Sequence, residues 1–245
     1  MPHAVSRLRD ERLALSSKPF VARGSKAPRC SRCRVVRSHC LCPWLPVPGG
    51  QAGMCLVMHD IEALKPSNTG WLIADVVKDT HAFTWSRTEV APGLLELLAD
   101  PQWQPYIVFP GEFVAAERVT EQVAPPAGKR PLFVLLDATW PEARKMFRKS
   151  PWLDRFPVLS LAPDQLSRYR LRRSKREDHF CTAEVAALCL GLAGEIHTAD
   201  RLDQWLDAFS QHYLAAKYQR AIDPQDALHQ HLASDQAAEG RLGQS

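Results

Sequence analysis

The feature that most constrains the fold is an apolar run at residues 131–136, which ends abruptly in Asp137. A run that is apolar on both faces is typical of a strand in the centre of a parallel sheet. Open α/β sheets bind their ligands in the crevice outside the carboxyl ends of such strands. We therefore expect Asp137 to lie at a ligand site.

Other short apolar runs predict further strands, and stretches with helical spacing alternate with them. The predicted strands are 54–59, 106–109, 131–137 and 156–161. The predicted helices are 68–77, 93–98, 141–149, 182–196 and 199–220. This alternation predicts an α/β fold with a mostly parallel sheet covered by helices.

The composition sets the class of protein. A chain of 245 residues that is 45% hydrophobic can fill a core, which excludes a disordered protein. Without a long apolar segment or a signal-peptide core, the chain is predicted to be neither secreted nor membrane-bound, but cytoplasmic. The formal net charge of +4 permits a nucleic-acid partner without requiring one.

A dense group of cysteines predicts a metal site. A CxxC pair is followed closely by a CxC pair, and the four residues are Cys30, Cys33, Cys40 and Cys42. Four thiolates at this spacing can close a tetrahedron around zinc, so we predict a structural zinc ion without an open coordination position.

Two alternatives apply to this cysteine group. His39 is adjacent to Cys40 and can replace one thiolate, and the four cysteines can instead form two redox pairs. The remaining cysteines have apolar neighbours and are predicted to be small core residues. They are Cys55, Cys181 and Cys189.

The chain is predicted to divide into four parts. Residues 1–28 form a basic arm of one or two helical turns without a catalytic role, and residues 29–50 form the zinc-binding segment. Residues 51–220 form the catalytic domain. Residues 221–245 are polar and small, which predicts a flexible tail.

The segment after Asp137 predicts the start of a helix. Thr139 and Glu142 have the spacing of a capping box, and Pro141 is tolerated in a first helical turn. The free N–H groups of this helix would then face the crevice at Asp137. The alternative is that Asp137 and Thr139 are only local caps.

Two basic clusters predict contact with RNA. The first follows the capping box at helical spacing, although solvated surface charge is the usual explanation for such a run. It consists of Arg144, Lys145, Arg148 and Lys149. The second interleaves cations with Tyr169, which would suit phosphate contact and base stacking. Its cations are Arg168, Arg170, Arg172, Arg173, Lys175 and Arg176.

Together these residues resemble the DTW-domain family, specifically the bacterial tRNA-uridine aminocarboxypropyltransferases. Besides the cysteine group, the matching segments are 65–70, Phe109 with Pro110, Asp137-Ala-Thr-Trp140, 167–172 and 181–185. The resemblance leads us to expect arginine after Asn-Thr-Gly, where this chain has Trp71.

The resemblance implies a fold and a reaction. It implies a branch of the SPOUT superfamily, with a C-terminal trefoil knot around an S-adenosylmethionine pocket. It also implies transfer of the 3-amino-3-carboxypropyl group to N3 of a variable-loop uridine in tRNA, with release of methylthioadenosine. No membrane and no obligatory protein partner are expected.

Given this reaction, we predict Asp137 as the base and Trp140 as a stacking surface for adenine or the target base. Thr139 and the N-terminus of the helix are predicted to orient the carboxylate or the ligand. The other predicted contacts of S-adenosylmethionine are Phe109, Pro110, Tyr169, Arg170, Thr182 and Glu184. The alternatives are a SPOUT-type RNA methyltransferase and a non-catalytic, zinc-containing RNA-binding protein.

Overall fold

The computed structural model describes residues 2–18, 20–21, 27–162 and 180–242. The strands of this part of the chain form one six-stranded sheet in the order β2-β1-β5-β3-β6-β4, and neighbouring strands pair in parallel. The bounds are β1 Gly53–Met58, β2 Thr80–Thr84, β3 Trp103–Val108, β4 Val119–Thr120, β5 Arg130–Asp137 and β6 Val158–Leu159. The predicted α/β fold with a parallel sheet is confirmed.

Helices lie between and after the strands. They are α1 Ala4–Ala14, α2 Gly70–Val76, α3 Pro92–Ala99, α4 Trp140–Arg148, α5 Thr182–Leu192, α6 Ile196–Tyr218 and α7 Ala227–Leu242. The five predicted helices correspond to α2 to α6, within a few residues at each end. Within the described ranges, no helix has both the length and the apolar character needed to cross a membrane.

The strand β5 lies in the interior of the sheet and is covered on both faces. Phe133 and Leu135 belong to a core that also contains α2, α5 and α6. Leu132 and Val134 point to the other face, where they pack with residues of α3 and α4. Successive side chains of β5 therefore point to opposite faces of the sheet and are buried on both, which explains why its sequence is a continuous apolar run.

Two strands were not predicted from the sequence. β2 has the sequence Thr-His-Ala-Phe-Thr and is half-buried along its whole length, so its apolar pattern is weak. β4 contains only two residues, too few to show any period. Both strands lie at the ends of the sheet, where burial is incomplete.

The N-terminal arm and the cysteine segment pack on the same core as the sheet. α1 has 11 residues, so it is longer than the one or two turns predicted. Val5 and Leu8 of α1 are buried together with Cys33 and Leu41 of the cysteine segment, against residues of β1, α2 and α6. The domain limits predicted from the sequence remain a prediction.

The C-terminal segment differs from its prediction. Instead of a flexible tail, residues 227–242 form α7, which packs on α6 and on the short turn Cys42–Trp44. His229 and Leu232 are buried at 0% and 2% exposure. The prediction was wrong because most of this segment is polar, and the few residues that bury one face of α7 were too sparse to recognise.

The resemblance predicts a trefoil knot in the C-terminal part of the sheet. Residues 163–179, between β6 and α5, lie outside the described part of the chain. The knot therefore stays a prediction.

Candidate functional site

Asp137 lies at the carboxyl end of β5, between α2 and α5. Its side chain is 4% exposed. Asn68 Nδ2 donates a hydrogen bond to Asp137 Oδ2 at 2.8 Å, and Thr182 Oγ1 donates one to Oδ1 at 2.7 Å. Both carboxylate oxygens are therefore held by side chains from two separate segments, the turn before α2 and the first residue of α5.

The environment of this carboxyl group shifts its pKa. Burial raises the pKa of Asp137 above its ordinary value, and the hydrogen bonds from Asn68 and Thr182 lower it in opposition. A carboxylate whose pKa moves toward neutrality is a better proton acceptor at physiological pH. This shift suits a general base more than a purely structural cap.

Gly70 allows α2 to approach Asp137 closely. A Cβ atom at position 70 would lie 2.7 Å from Asp137 Oδ2 and 3.1 Å from Asn68 Oδ1. A larger residue would therefore force the Asp137 carboxylate or the backbone of α2 to shift. The glycine in the Asn-Thr-Gly segment thus permits the close approach of α2 to Asp137.

A cavity of about 680 Å³ opens at the carboxyl ends of β3, β5 and β6. The connection after β1 runs to β2 at one edge of the sheet, whereas the connection after β3 runs to β4 at the other edge, and β5 lies between β1 and β3. Parallel sheets bind their ligands at the point where the connections diverge in this way. The walls of the cavity are mostly apolar. They are formed by Val108, Phe109, Pro110, Leu135, Leu136, Ala138, Trp140, Ala143, Leu159, Leu161, Phe180, Thr182 and Val185.

The predicted ligand contacts divide into two groups with respect to this cavity. Four of them line it: Phe109, Pro110, Trp140 and Thr182. Asp137, Thr139 and Glu184 do not line it. Thr182 lines the cavity, and its hydroxyl group donates to Asp137, so this residue lies between the buried carboxylate and the cavity.

Thr139 and Glu184 take part in helix caps. Thr139 N and Oγ1 both donate to Glu142 Oε2, at 3.0 and 2.5 Å, in the predicted capping box of α4. Glu184 Oε2 accepts from Cys181 N at 2.8 Å at the start of α5. The two caps place the N-termini of α4 and α5 beside the cavity, where the helix dipoles favour a negatively charged group.

The first basic cluster forms an exposed face of α4. Its members are Arg144, Lys145, Arg148 and Lys149, and all four are exposed. The Arg144 guanidinium lies 4.7 Å from the centre of the Phe113 ring, which is itself partly exposed. This face is therefore continuous with aromatic side chains at the mouth of the cavity.

The second basic cluster falls outside the described residues. This applies to Arg168, Tyr169, Arg170, Arg172, Arg173, Lys175 and Arg176. In the sequence they belong to the segment that joins Leu161 to Phe180, both of which line the cavity. Their predicted roles stay predictions.

The four clustered cysteines converge as a metal site would require. Their sulfur atoms all lie within 4.8 Å of one another. Cys30 Sγ is 3.6 Å from Cys42 Sγ, and Cys33 Sγ is 3.8 Å from Cys40 Sγ. Sulfurs bound at about 2.3 Å in a zinc tetrahedron are about 3.8 Å apart, so this donor set fits a tetrahedral ion.

The local backbone brings these sulfurs together. Arg34 adopts a left-handed conformation with φ 64, and Cys30 N donates to Val35 O at 2.8 Å, which closes the turn around the CxxC pair. Burial, with repulsion from neighbouring sulfurs, raises the pKa of Cys33 to about 11 and that of Cys42 still higher. A cation is therefore needed to keep all four groups as thiolates.

His39 is not among the converging ligands. Its Nδ1 lies 2.9 Å from Ser38 Oγ and its Nε2 lies 2.8 Å from Arg220 O, so both ring nitrogens are engaged elsewhere. Of the three remaining cysteines, Cys55 and Cys189 are fully buried, as predicted. Cys181 is only partly buried and precedes α5.

Trp71 stands where the resemblance led us to expect arginine. The ring is 3% exposed and packs against His3, with ring centres 4.4 Å apart. The Arg34 guanidinium lies 4.8 Å from the same ring and donates to the carbonyls of Ala63 and Leu64. A buried guanidinium thus approaches this position from another part of the chain.

Asn68 is the residue of this site to which sequence reasoning gave no role. It is 6% exposed, donates to Asp137, and accepts from Trp71 N at 3.3 Å. In the sequence, this residue stands only at the start of the predicted helix 68–77 and within the segment 65–70 that resembles the DTW-domain family. Nothing in its local pattern indicates that it meets Asp137, which is 69 residues away in the chain.

Comparison with known proteins identifies the family. The model of the DTW domain matches residues 27–214, which is most of the chain. The chain belongs to the DTW-domain family. The matched range begins before the cysteine group and ends in α6, so both the cysteine group and the cavity are parts of the DTW domain.

One curated relative of this DTW-domain protein is tRNA-uridine aminocarboxypropyltransferase 2 from Drosophila melanogaster. It is 28% identical over 180 residues, which cover 69% of this chain and 67% of the relative. No solved structure matches the chain.

Proposed function

We propose that this DTW-domain protein transfers the 3-amino-3-carboxypropyl group of S-adenosylmethionine to N3 of a variable-loop uridine in tRNA, with release of methylthioadenosine. The observation that carries the proposal is the cavity of about 680 Å³ next to the Asp-Ala-Thr-Trp motif of a DTW domain. The Drosophila melanogaster relative, whose name is tRNA-uridine aminocarboxypropyltransferase 2, supports the same reaction class. On this proposal the protein is an enzyme and tRNA is its partner.

The cavity has the size and lining expected for the donor. Pockets for small ligands enclose about 300–1,000 Å³ and are mostly apolar, with a few polar groups. Trp140 is 45% exposed and provides an aromatic surface for the adenine, and its ring stacks on that of Phe109 with ring centres 5.5 Å apart. The N-termini of α4 and α5 favour the carboxylate of the methionine arm.

The proposed chemistry needs a proton acceptor. The sulfonium donor supplies an activated carbon, and the bond from that carbon to N3 forms as its bond to sulfur breaks. The proton on N3 must leave in the same reaction. We assign it to Asp137 through the hydroxyl of Thr182, which accepts the proton from N3 and passes its own to Oδ1.

The proposed tRNA contacts lie on the basic clusters. Arg144, Lys145, Arg148 and Lys149 form an exposed face beside the cavity mouth. Phosphate contacts of this kind supply much of the affinity for nucleic acid and make it dependent on salt. The cations within 168–176 are proposed to make further contacts with tRNA phosphates.

We also propose that the ion held by the cysteine group is zinc. Four thiolates at tetrahedral spacing with no open position are typical of structural zinc. The ion would hold the cysteine segment in place on the core that it shares with α1 and α6. It has no proposed part in the transfer reaction.

The decisive test replaces Asp137 with Asn and measures transfer from S-adenosylmethionine to a tRNA transcript. The variant should bind the donor in calorimetry but transfer at a rate reduced by at least about 100-fold, as for loss of a general base. Asp10→Asn, on the exposed side of α1, is the matched control and should leave transfer unchanged. Unchanged turnover in Asp137→Asn would remove Asp137 from the mechanism.

The small product separates the proposal from its rivals. Methylthioadenosine supports aminocarboxypropyl transfer, whereas S-adenosylhomocysteine would show a methyltransferase. If the wild-type protein binds tRNA but shows no binding of S-adenosylmethionine, it is a non-catalytic RNA-binding protein.

A further inference from the structure

A second, smaller hollow lies beside the donor cavity. It measures about 180 Å³ and is bounded by α4 and the short turn Pro151–Leu153. Phe109 and Phe147 form its inner wall, Phe113 its rim, and Arg144 and Arg148 one side. The proposed reaction does not use this hollow.

The lining of the hollow combines ring faces with cations. The Phe109 and Phe147 rings are stacked 4.3 Å apart and are parallel to within 1°, while the Arg144 guanidinium covers the Phe113 ring. Arg148 is one helical turn after Arg144 on the same side of α4. Aromatic rings beside cations are features of sites that bind unstacked nucleotides. The lining also contains one carboxylate, that of Asp154, which pairs with Arg118 at 3.4 Å.

The volume limits what can enter. A cavity of about 150 Å³ is enough to hold one benzene ring. A hollow of about 180 Å³ therefore admits one six-membered ring and has no room for a nucleoside with its sugar. A pyrimidine base fits, with its ribose and phosphate outside, next to the exposed guanidinium groups of Arg144 and Arg148.

The position of Phe109 excludes the reacting base from this hollow. Phe109 lines both the hollow and the donor cavity, and it is 5% exposed. Its ring therefore separates a base in the hollow from a donor in the larger cavity. The nucleotide in the hollow must be a neighbour of the one that reacts.

From these features, and resting on the proposed function, we propose that the hollow binds the unstacked pyrimidine base of a nucleotide adjacent to the modified uridine in tRNA. Binding of this neighbour positions the strand so that the reacting base enters the larger cavity. The hollow is thus a specificity-determining subsite of the RNA.

The test combines base removal with side-chain removal. Binding of the full chain is measured, without donor, to an unmodified tRNA transcript and to transcripts with an abasic nucleotide on the 5′ side, on the 3′ side, or at the modified uridine. For one flanking position, the abasic nucleotide should weaken binding to the wild-type protein by about tenfold, the usual cost of losing one stacked base. The same transcript should bind Phe113→Ala and Arg144→Ala as well as the intact transcript does.

Arg155→Ala is the matched control for charge. Arg155 is also an exposed arginine, but its guanidinium covers Phe156 and it does not line the hollow. This variant should keep the full effect of the abasic nucleotide. Phe113 and Arg144 are both partly or fully exposed, so neither substitution should prevent folding.

The inference is overturned if every abasic transcript loses the same affinity in Phe113→Ala and Arg144→Ala as in the wild-type protein. It is also overturned if the only abasic position whose effect disappears in these two variants is that of the modified uridine. Because binding is measured without donor, this failure is distinct from failure of the transfer reaction, which product analysis detects.

Discussion

At the scale of single residues, the properties of Asp137 depend on side chains that surround it. The backbone places it at the end of β5, but Asn68 and Thr182 determine how its two oxygens are oriented and lower a pKa that burial raises. Of these two residues, only Thr182 also lines the cavity. The proposed path of the proton to Asp137 therefore passes through the hydroxyl group of Thr182.

Replacement of Thr182 with Val tests this path. Val keeps the size of Thr but cannot donate to Oδ1, so the pKa of Asp137 should rise further. If Asp137 must be ionised, the acid limb of the kcat profile should move to higher pH, and kcat on the plateau should fall by about 10- to 100-fold.

Thr182→Ser is the matched variant, because it restores the hydroxyl. Its pH profile should coincide with that of the wild-type protein. An acid limb that does not move in Thr182→Val would show that the hydrogen bond to Asp137 has no part in the reaction.

At the scale of elements, short polar interactions at helix ends determine where the walls of the cavity lie. α4 begins at Trp140 because Thr139 and Glu142 form a capping box, in which Thr139 N donates to the carboxylate of Glu142. α5 begins at Thr182 with a similar contact between Cys181 and Glu184. Because both helices start at the cavity, fraying of either cap would displace Trp140 or Thr182.

Glu142→Ala should destabilise the protein by about 1 kcal/mol, the usual contribution of a cap. The hydrogen bond from Thr139 lowers the pKa of Glu142, so this stabilisation is present at neutral pH and is lost as the pH falls through the folded pKa. Urea unfolding at neutral and acid pH measures both effects.

The control is Glu142→Gln, which keeps an acceptor oxygen but does not titrate. This variant should lose less stability than Glu142→Ala, and its free energy of unfolding should not show the decrease at acid pH that Glu142 causes in the wild-type protein. Equal stability of the wild-type protein and Glu142→Ala would show that the cap does not stabilise α4.

α7 provides a second test at this scale. Leu232 is 2% exposed, so Leu232→Ala should lower the free energy of unfolding by about 2 kcal/mol, at the low end for buried leucine. His231→Ala changes the exposed neighbour and should have almost no effect. If both variants unfold at the same urea concentration as the wild-type protein, residues 227–242 do not pack as a helix on α6.

At the scale of the whole molecule, the cysteine group connects distant parts of the chain. Cys33 and Leu41 are buried with residues of α1, α2 and α6, so the segment that a metal ion would hold also completes the core on one face of the sheet. The buried carboxylate of Asp75 strengthens this connection, since it pairs with Arg32 at 2.6 Å and accepts from Trp205 Nε1 at 3.0 Å. Loss of the metal should therefore affect more than the loop that binds it.

Cys40→Ser should abolish metal binding and lower the unfolding temperature of the whole chain in a single transition. Elemental analysis should find about one zinc ion per wild-type chain, as expected for a four-thiolate site, and none in the variant. Cys55→Ala, which removes a buried thiol away from the cluster, should retain the metal. A full complement of zinc in Cys40→Ser would contradict the assignment of the ligands.

The sequence by itself determined the elements whose signals are local. The apolar run of β5, the capping box of α4 and the spacing of the four cysteines each depend on residues close together in the chain, and each has a physical consequence that can be stated without the fold. These patterns predicted the parallel sheet, the convergence of the four cysteines and the location of the cavity at the carboxyl end of β5. They failed for β2, β4 and α7, where burial is partial or the buried residues are few.

Only the tertiary structure decided which side chains meet. Asn68, Asp137 and Thr182 come from three separated segments, and their hydrogen bonds exist because α2 and α5 pack on the same face of β5. The structure also showed that Asp137 does not line the cavity, whereas its partner Thr182 does. Such contacts depend on the packing of whole elements, and a pattern of neighbouring residues carries no information about a partner that lies on another element.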